Sequence, residues 1–159
     1  MIRNALRGVT AVHVSVETPS DYDLDGITPS ELRISTEKRL LNGGILVVSE
    51  SELSPTKGHG VLSVNITAVP SDQLGFQVHS CYFAVELYRI VAIVFNLQAA
   101  QQQAEFELVP TWNHGVVGTC IGGGLQRACR DGVAKSVDTF IKQFSRANPS
   151  PSEIDYARP

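Results

Sequence analysis

Residues 76–95 read FQVHSCYFAVELYRIVAIVF and form the longest apolar passage of the chain. Its length matches the roughly 20 apolar residues that a membrane-spanning helix needs. Glu86 and Arg89 lie near its middle, however, and a charge at a bilayer centre costs at least about 2.5–3.5 kcal/mol. Most of the other residues are β-branched or aromatic, which favours a strand. The passage therefore predicts a long strand and no transmembrane segment.

Alternate residues of this passage differ in character, as expected for a strand with one face in a core. One face is apolar except at Arg89 and carries Cys81, Phe83, Val85, Leu87, Val91 and Ile93. The other face is mixed, with Tyr82, Ala84, Glu86, Tyr88 and Ile90. Because the strand exceeds the usual length of about 3–10 residues, we expect a bend or a bulge within it.

Two amphipathic helices are predicted, one on each side of this strand in the sequence. The first begins with a capping box that has proline at the first helical position, formed by Thr28, Pro29 and Glu31. It runs to Asn42, stops at Gly43-Gly44, and is expected to bury Leu32, Thr36, Leu40 and Leu41. The second runs from Leu125 to about Ala147, because apolar residues recur there at spacings of three and four.

Shorter apolar runs predict the other strands at residues 9–17, 45–49, 61–69 and 104–112. The run at 45–49 contains no polar interruption before Ser49, so we expect it to be buried on both faces. Asn113-His114-Gly115 is expected to interrupt the last strand, with pairing resuming at residues 116–121.

The resulting element order is β-α-β-β-β-β-α, which indicates an α+β fold. Two helices cannot cover both faces of so extended a sheet, so both are expected to pack on one face of a single, mainly antiparallel sheet. A chain of 159 residues suits one domain, here residues 1–149. Residues 150–159 are predicted to be a disordered tail.

Composition restricts the classes of partner and the compartment. The net charge is −3 and the 13 lysine and arginine residues are scattered, so a nucleic-acid partner is not expected. The N-terminal MIRNALRGV lacks the apolar run of a signal peptide, so no leader is expected in this chain unless one has been removed.

The usual catalytic, cofactor and metal motifs are missing from the sequence. The glycine-rich run at residues 118–124 has neither GK[ST] nor G-x-G-x-x-G, so a plain connector is preferred over a phosphate site. The four histidines show no metal-binding spacing, and no serine lies in a G-x-S-x-G elbow. A calcium loop is a weak alternative, resting on Glu31 and on Asp21, Asp23 and Asp25. We therefore expect no enzyme activity, cofactor or metal.

Two pairs of residues are candidate site residues. If the hairpin after the long strand turns near residue 100 or 101, Cys81 and Cys120 lie about opposite each other on paired strands. That spacing suits a disulfide, whereas a slip of one residue would place one thiol on the other face. Trp112 is expected to pack at the sheet end, and the alternative is that Trp112 and His114 are contacts for a partner.

Several motifs resemble a family of small uncharacterised bacterial exported proteins. They are LRGV at 6–9, VHVSVE at 12–17, RLLNGGI at 39–45, Thr111-Trp112 with Gly115 and Gly118, and Val137-Asp138, Phe140-Ile141 and Ala147-Asn148-Pro149. The order of elements in that family is similar to that of envelope-transport auxiliary lipoproteins and of the N-terminal domain of the Tol-Pal periplasmic propeller protein. The resemblance implies a periplasmic or membrane-peripheral location and a binding or assembly role.

Three functional hypotheses follow. The first is a non-enzymatic, envelope-associated interaction domain, an accessory subunit of a membrane protein complex. The second is a carrier of a small ligand or lipid, with a pocket between helices and sheet lined by Phe83, Leu87 and Phe140. The third, a hydrolase, rests only on scattered serines and histidines.

Overall fold

A five-stranded sheet with two helices on one face makes up the fold, seen in a computed structural model that describes residues 5–18, 26–71, 78–94 and 104–149. The elements are β1 (Ala11–Glu17), α1 (Pro29–Asn42), β2 (Leu46–Val47), β3 (His59–Ser71), β4 (Val78–Val94), β5 (Ala104–Ile121) and α2 (Leu125–Ala147). Short 3₁₀ turns cover Glu50–Glu52, Pro55–Lys57 and Gly122–Gly124. The α+β class and the order β-α-β-β-β-β-α are confirmed.

The strand order is β2-β1-β3-β4-β5, and the sheet is mixed. β1 runs parallel to both of its neighbours, and β3, β4 and β5 form an antiparallel meander that contains most of the paired residues. Parallel neighbours need a crossover connection, which α1 supplies between β1 and β2. β5 and β2 are therefore the two edge strands, and β5 is by far the longer.

The long apolar passage forms β4, the strand through which the meander is paired on both sides. Its odd-numbered residues from Cys81 to Leu87 lie in the buried core, as the alternation predicts. The expected irregularity is a register shift against β5 between Leu87 and Tyr88. A bulge of this kind bends its strand and increases the local twist.

α1 begins at the predicted capping box, in which Thr28 Oγ1 accepts from the Glu31 amide and the Glu31 carboxylate accepts from the Thr28 amide. It buries Leu32, Thr36 and Leu40. Leu41 is exposed, so its predicted burial is wrong. Consecutive helical residues are about 100° apart around the axis, so Leu41 points away from the face that buries Leu40. Gly44 follows the helix with φ of 77°, a conformation that favours glycine.

α2 packs its predicted apolar stripe against β4 and β5. Leu125, Cys129, Val133, Val137 and Phe140 are buried. A Cβ atom added at Gly132 would lie within 2.9 Å of three ring atoms of Phe83, so the helix backbone rests directly on that ring. Glycine at this position sets how closely α2 approaches the sheet.

Two strand predictions are wrong. The strand after α1 covers only Leu46–Val47 and is an edge strand with Leu46 exposed, so it is not buried on both faces. β5 continues without a break through Asn113-His114-Gly115. Its pairing with β4 supplies the backbone hydrogen bonds there, which outweighs the turn preference of those three residues.

Several of the sequence predictions concern residues that the structure does not describe. They are the acidic loop with Asp21, Asp23 and Asp25, the turn after Ser71, the tip of the β4–β5 hairpin and the tail at 150–159.

Candidate functional site

The motifs shared with the exported-protein family come together in the structure as pairs of contacting residues. The Asn148 side chain accepts from the Gly8 amide at 3.0 Å and donates to the Leu6 carbonyl at 2.9 Å, which ties the start of the chain to the end of α2. Arg39 binds both carboxylate oxygens of Asp138 at 2.9 and 3.1 Å. These contacts join α1 to α2 and fix the segment before β1 to the end of α2, so these residues have a structural role.

Trp112 and His114 both lie on the helix-covered face of β5. Trp112 is only 7% exposed, and its indole Nε1 donates to Gln143 Oε1 at 2.7 Å. Its ring meets Phe140 edge to face with centroids 5.1 Å apart. The His114 ring stacks on Trp112, and its Nδ1 lies 3.2 Å from Ser136 Oγ. Both rings contact α2 here, and their role in partner contact stays a prediction.

The Ser136–His114 contact places a hydroxyl and an imidazole at the distance used by nucleophile–base pairs. Ser136 lies on the sheet-facing side of α2 and is fully buried, however, so a substrate carbonyl cannot reach its oxygen. Within the described ranges, no three histidine, cysteine, aspartate or glutamate side chains are grouped closely enough to hold a metal ion. The pair is best explained as a hydrogen bond that satisfies a buried serine.

Cys81 and Cys120 approach each other in the core, although not as directly opposed residues. Cys81 pairs with Gly118 and Cys120 pairs with His79, so the two cysteines are diagonal neighbours on the same face. Their sulfurs lie 3.5 Å apart and both thiols are free. Burial, followed by the contact with Cys120, raises the pKa of Cys81 to about 12. The expected opposition is therefore off by two residues, which preserves the face, and the disulfide stays a prediction.

The position expected for a ligand pocket is occupied by packed side chains. Phe83, Leu87 and Phe140 are buried members of the hydrophobic core, and Phe83 lies against the backbone of α2 at Gly132. The ligand-carrier hypothesis thus gains no support from these three residues.

The opposite face of the sheet, which we call the open face, carries Ser15, Ser63, Asn65, Val69, Tyr82, Glu86, Val117 and Ile121, and no described helix covers it. Half of the exposed large hydrophobic residues lie on β5: Phe106, Leu108, Val109, Val117 and Ile121. Val117 and Ile121 are 76% and 70% exposed. Tyr82 lies across from Val117 and its ring covers Gly115, where a Cβ atom would lie 2.6 Å from the Tyr82 hydroxyl. The composition of β5 alone did not predict this surface, because its position at the sheet edge comes from the strand order.

None of the described helices is both long and apolar enough to cross a membrane. No family model matches the sequence, and no curated protein sequence matches it.

Two solved structures are similar to this chain in fold. One is a PelC dodecamer from Paraburkholderia phytofirmans, with 19% identity, a TM-score of 0.42, and coverage of 82% of this chain and 86% of that chain. The other is a homologue of a neuraminyllactose-binding hemagglutinin from Helicobacter pylori, with 10% identity, a TM-score of 0.47, and coverage of 94% and 88%. Both TM-scores are below 0.5, so neither likeness supports an inference about this chain.

Proposed function

We propose that this protein is a non-enzymatic interaction domain associated with the cell envelope, periplasmic or membrane-peripheral, and that it acts as an accessory subunit of a membrane protein complex. The observation that carries the proposal is the cluster of exposed apolar side chains on and beside β5. Contiguous exposed apolar surface is typical of interaction sites. The resemblance to exported proteins supports the compartment.

The apolar end of the open face is the contact surface that we assign to this function. It consists of Val69, Tyr82, Val117 and Ile121, which lie on three neighbouring strands. Tyr82 offers a broad ring with a hydroxyl, a residue type enriched where binding energy concentrates. The unpaired backbone of β5 lies directly beside it, and an edge strand readily accepts another strand.

Affinity capture from a native membrane extract tests the proposal. We expect the wild-type protein to retain one specific membrane protein, and the double variant Val117→Glu/Ile121→Glu to lose it. Ile34→Glu is the matched control, because Ile34 is 59% exposed on α1, away from this surface. A wild-type protein that is monomeric and partnerless in its native extract, or equal retention by all three proteins, would contradict the proposal.

A further inference from the structure

A groove crosses the other end of the open face. Two clefts share Ser15, Val61 and Leu108 and so form one continuous feature, which we call the open-face groove. The larger part has a volume of about 440 Å³ and is also bordered by His13, Glu50, Leu53, Ile90, Phe106 and Glu107. The smaller part, about 320 Å³, is also bordered by Glu17, Ser63, Asn65 and Tyr88.

The groove extends across four strands. β3 and β4 lie between β1 and β5, so Leu108 in a flat sheet would be at least about 14 Å from Ser15. The two residues border the same cleft, and the register shift at Leu87/Tyr88 lies next to it; a bulge of this kind bends its strand and increases the twist. One wall of the groove is apolar: Ile90, Phe106 and Leu108, of which Phe106 is 61% exposed.

The charges that border the groove are all negative. Glu17 and Glu50 line it, and Glu107 borders it on β5, where the strand alternation directs the Glu107 side chain to the face opposite that of Phe106 and Leu108. None of the lysine and arginine residues that the structure describes lines either cleft. None of the three glutamates is among the ion pairs formed by the described residues. The adjoining cleft contains Arg33, whose guanidinium lies 3.6 Å from the Glu37 carboxylate. Glu17 and Glu50 are available to a cation from outside the chain.

Polar side chains at the bottom of the smaller cleft add to the negative character of the groove. Ser63 Oγ donates to Asn65 Oδ1 at 3.4 Å, and Asn65 Nδ2 donates to Glu86 Oε2 at 3.3 Å. The Tyr88 hydroxyl donates to the same oxygen at 2.7 Å, and this bond raises the pKa of Tyr88. The Asn65 and Tyr88 donors are directed at the Glu86 carboxylate and the Ser63 donor at the Asn65 amide oxygen, so these hydrogen bonds are already made within the chain. The floor is better suited to a ligand that brings donors.

We propose that the open-face groove binds an extended peptide segment in which lysine or arginine alternates with apolar residues. In an extended segment alternate side chains point to opposite sides. One set then packs against Ile90, Phe106 and Leu108, while the cationic set reaches the glutamates. This inference goes beyond the proposed function, because it concerns the opposite end of the open face and a partner of defined chemistry.

Fluorescence anisotropy with the full chain and a labelled octapeptide of alternating valine and lysine tests the inference. Glu17→Gln/Glu50→Gln should weaken binding about fivefold, since two exposed ion pairs are lost. Asp131→Asn/Asp138→Asn removes the same charge from α2 and should leave the affinity within about twofold. Leu108→Asn should weaken this peptide and not a peptide of alternating serine and lysine.

An equal loss in both charge variants would mean general attraction to a protein of net charge −3, and would overturn the inference. Absence of binding by the valine–lysine peptide at low salt would overturn it as well. Circular dichroism and the urea midpoint check that each variant folds. The capture experiment depends on Val117 and Ile121, so failure here leaves the proposed function standing and is distinguishable from its failure.

Discussion

Gly132 offers a sharp test of how α2 seats on the sheet. Alanine has a higher helix propensity than glycine by about 0.8–1.0 kcal/mol, so propensity alone predicts that Gly132→Ala stabilises the protein. In the structure, however, the new methyl group would lie within 2.9 Å of three Phe83 ring atoms. Carbon atoms prefer about 3.5–4.0 Å, so the helix would have to move outward by roughly 1 Å.

The cost of the clash with Phe83 exceeds the gain in helix propensity from alanine. Overpacking of a core typically costs about 1–3 kcal/mol, and both Phe83 and Gly132 are buried. We expect Gly132→Ala to lower the free energy of unfolding by about 1–2 kcal/mol. Urea denaturation followed by circular dichroism measures this as a lower midpoint at an unchanged m-value.

Two further variants separate the clash from other effects. Gly123→Ala is the control, because nothing lies within 4 Å of its added Cβ atom, and it should be near neutral. Phe83→Leu combined with Gly132→Ala should cost less than the sum of the single changes, with a coupling of about 0.5–3 kcal/mol as for residues in contact. A Gly132→Ala protein as stable as wild type, with additive behaviour in the double variant, would refute the packing argument.

Two other predictions concern groups with raised pKa values. Oxidised glutathione should convert the folded protein to a form about 2 Da lighter with Cys81 and Cys120 joined and Cys129 still reduced. The reaction should be slow and should accelerate as pH rises, because burial raises the pKa of Cys81 and the thiolate is the reactive form. Mass mapping that shows all three cysteines reduced, or a bond to Cys129, would contradict the pairing. The hydroxyl of Tyr88 should ionise above its ordinary pKa near 10, because it donates to Glu86. The hydrogen bond to Glu86 therefore contributes stability that is fully present below the ordinary tyrosine pKa and is lost as pH rises through the raised pKa of the folded protein. A tyrosinate absorbance titration that Glu86→Gln leaves unshifted would contradict this assignment.

The placement of the cysteines shows where sequence reasoning becomes imprecise. Counting from a hairpin tip near residue 100 or 101 placed Cys81 opposite Cys120, whereas the register pairs Cys81 with Gly118. An offset of two residues changes the partner and preserves the face, because side chains alternate with a period of two. The burial of both thiols could therefore be predicted, and their separation could not.

Local patterns were sufficient for the elements themselves. The alternation in β4, the capping box at Thr28 and the apolar stripe of α2 are each set by residues close in sequence, and each appears as predicted. These patterns predicted the α+β class, because a strand or helix with one apolar face must bury that face against another element.

The tertiary structure alone decided which surfaces remain available. Strand order placed β5 at the edge and made Val117 and Ile121 a surface, although neither differs in type from a core valine or isoleucine. The strand order also placed Leu108 and Ser15, which lie far apart in sequence, on the border of one cleft. Local sequence fixes which face of each element is apolar. The open-face groove depends on long-range pairing of strands, which no short stretch of sequence encodes.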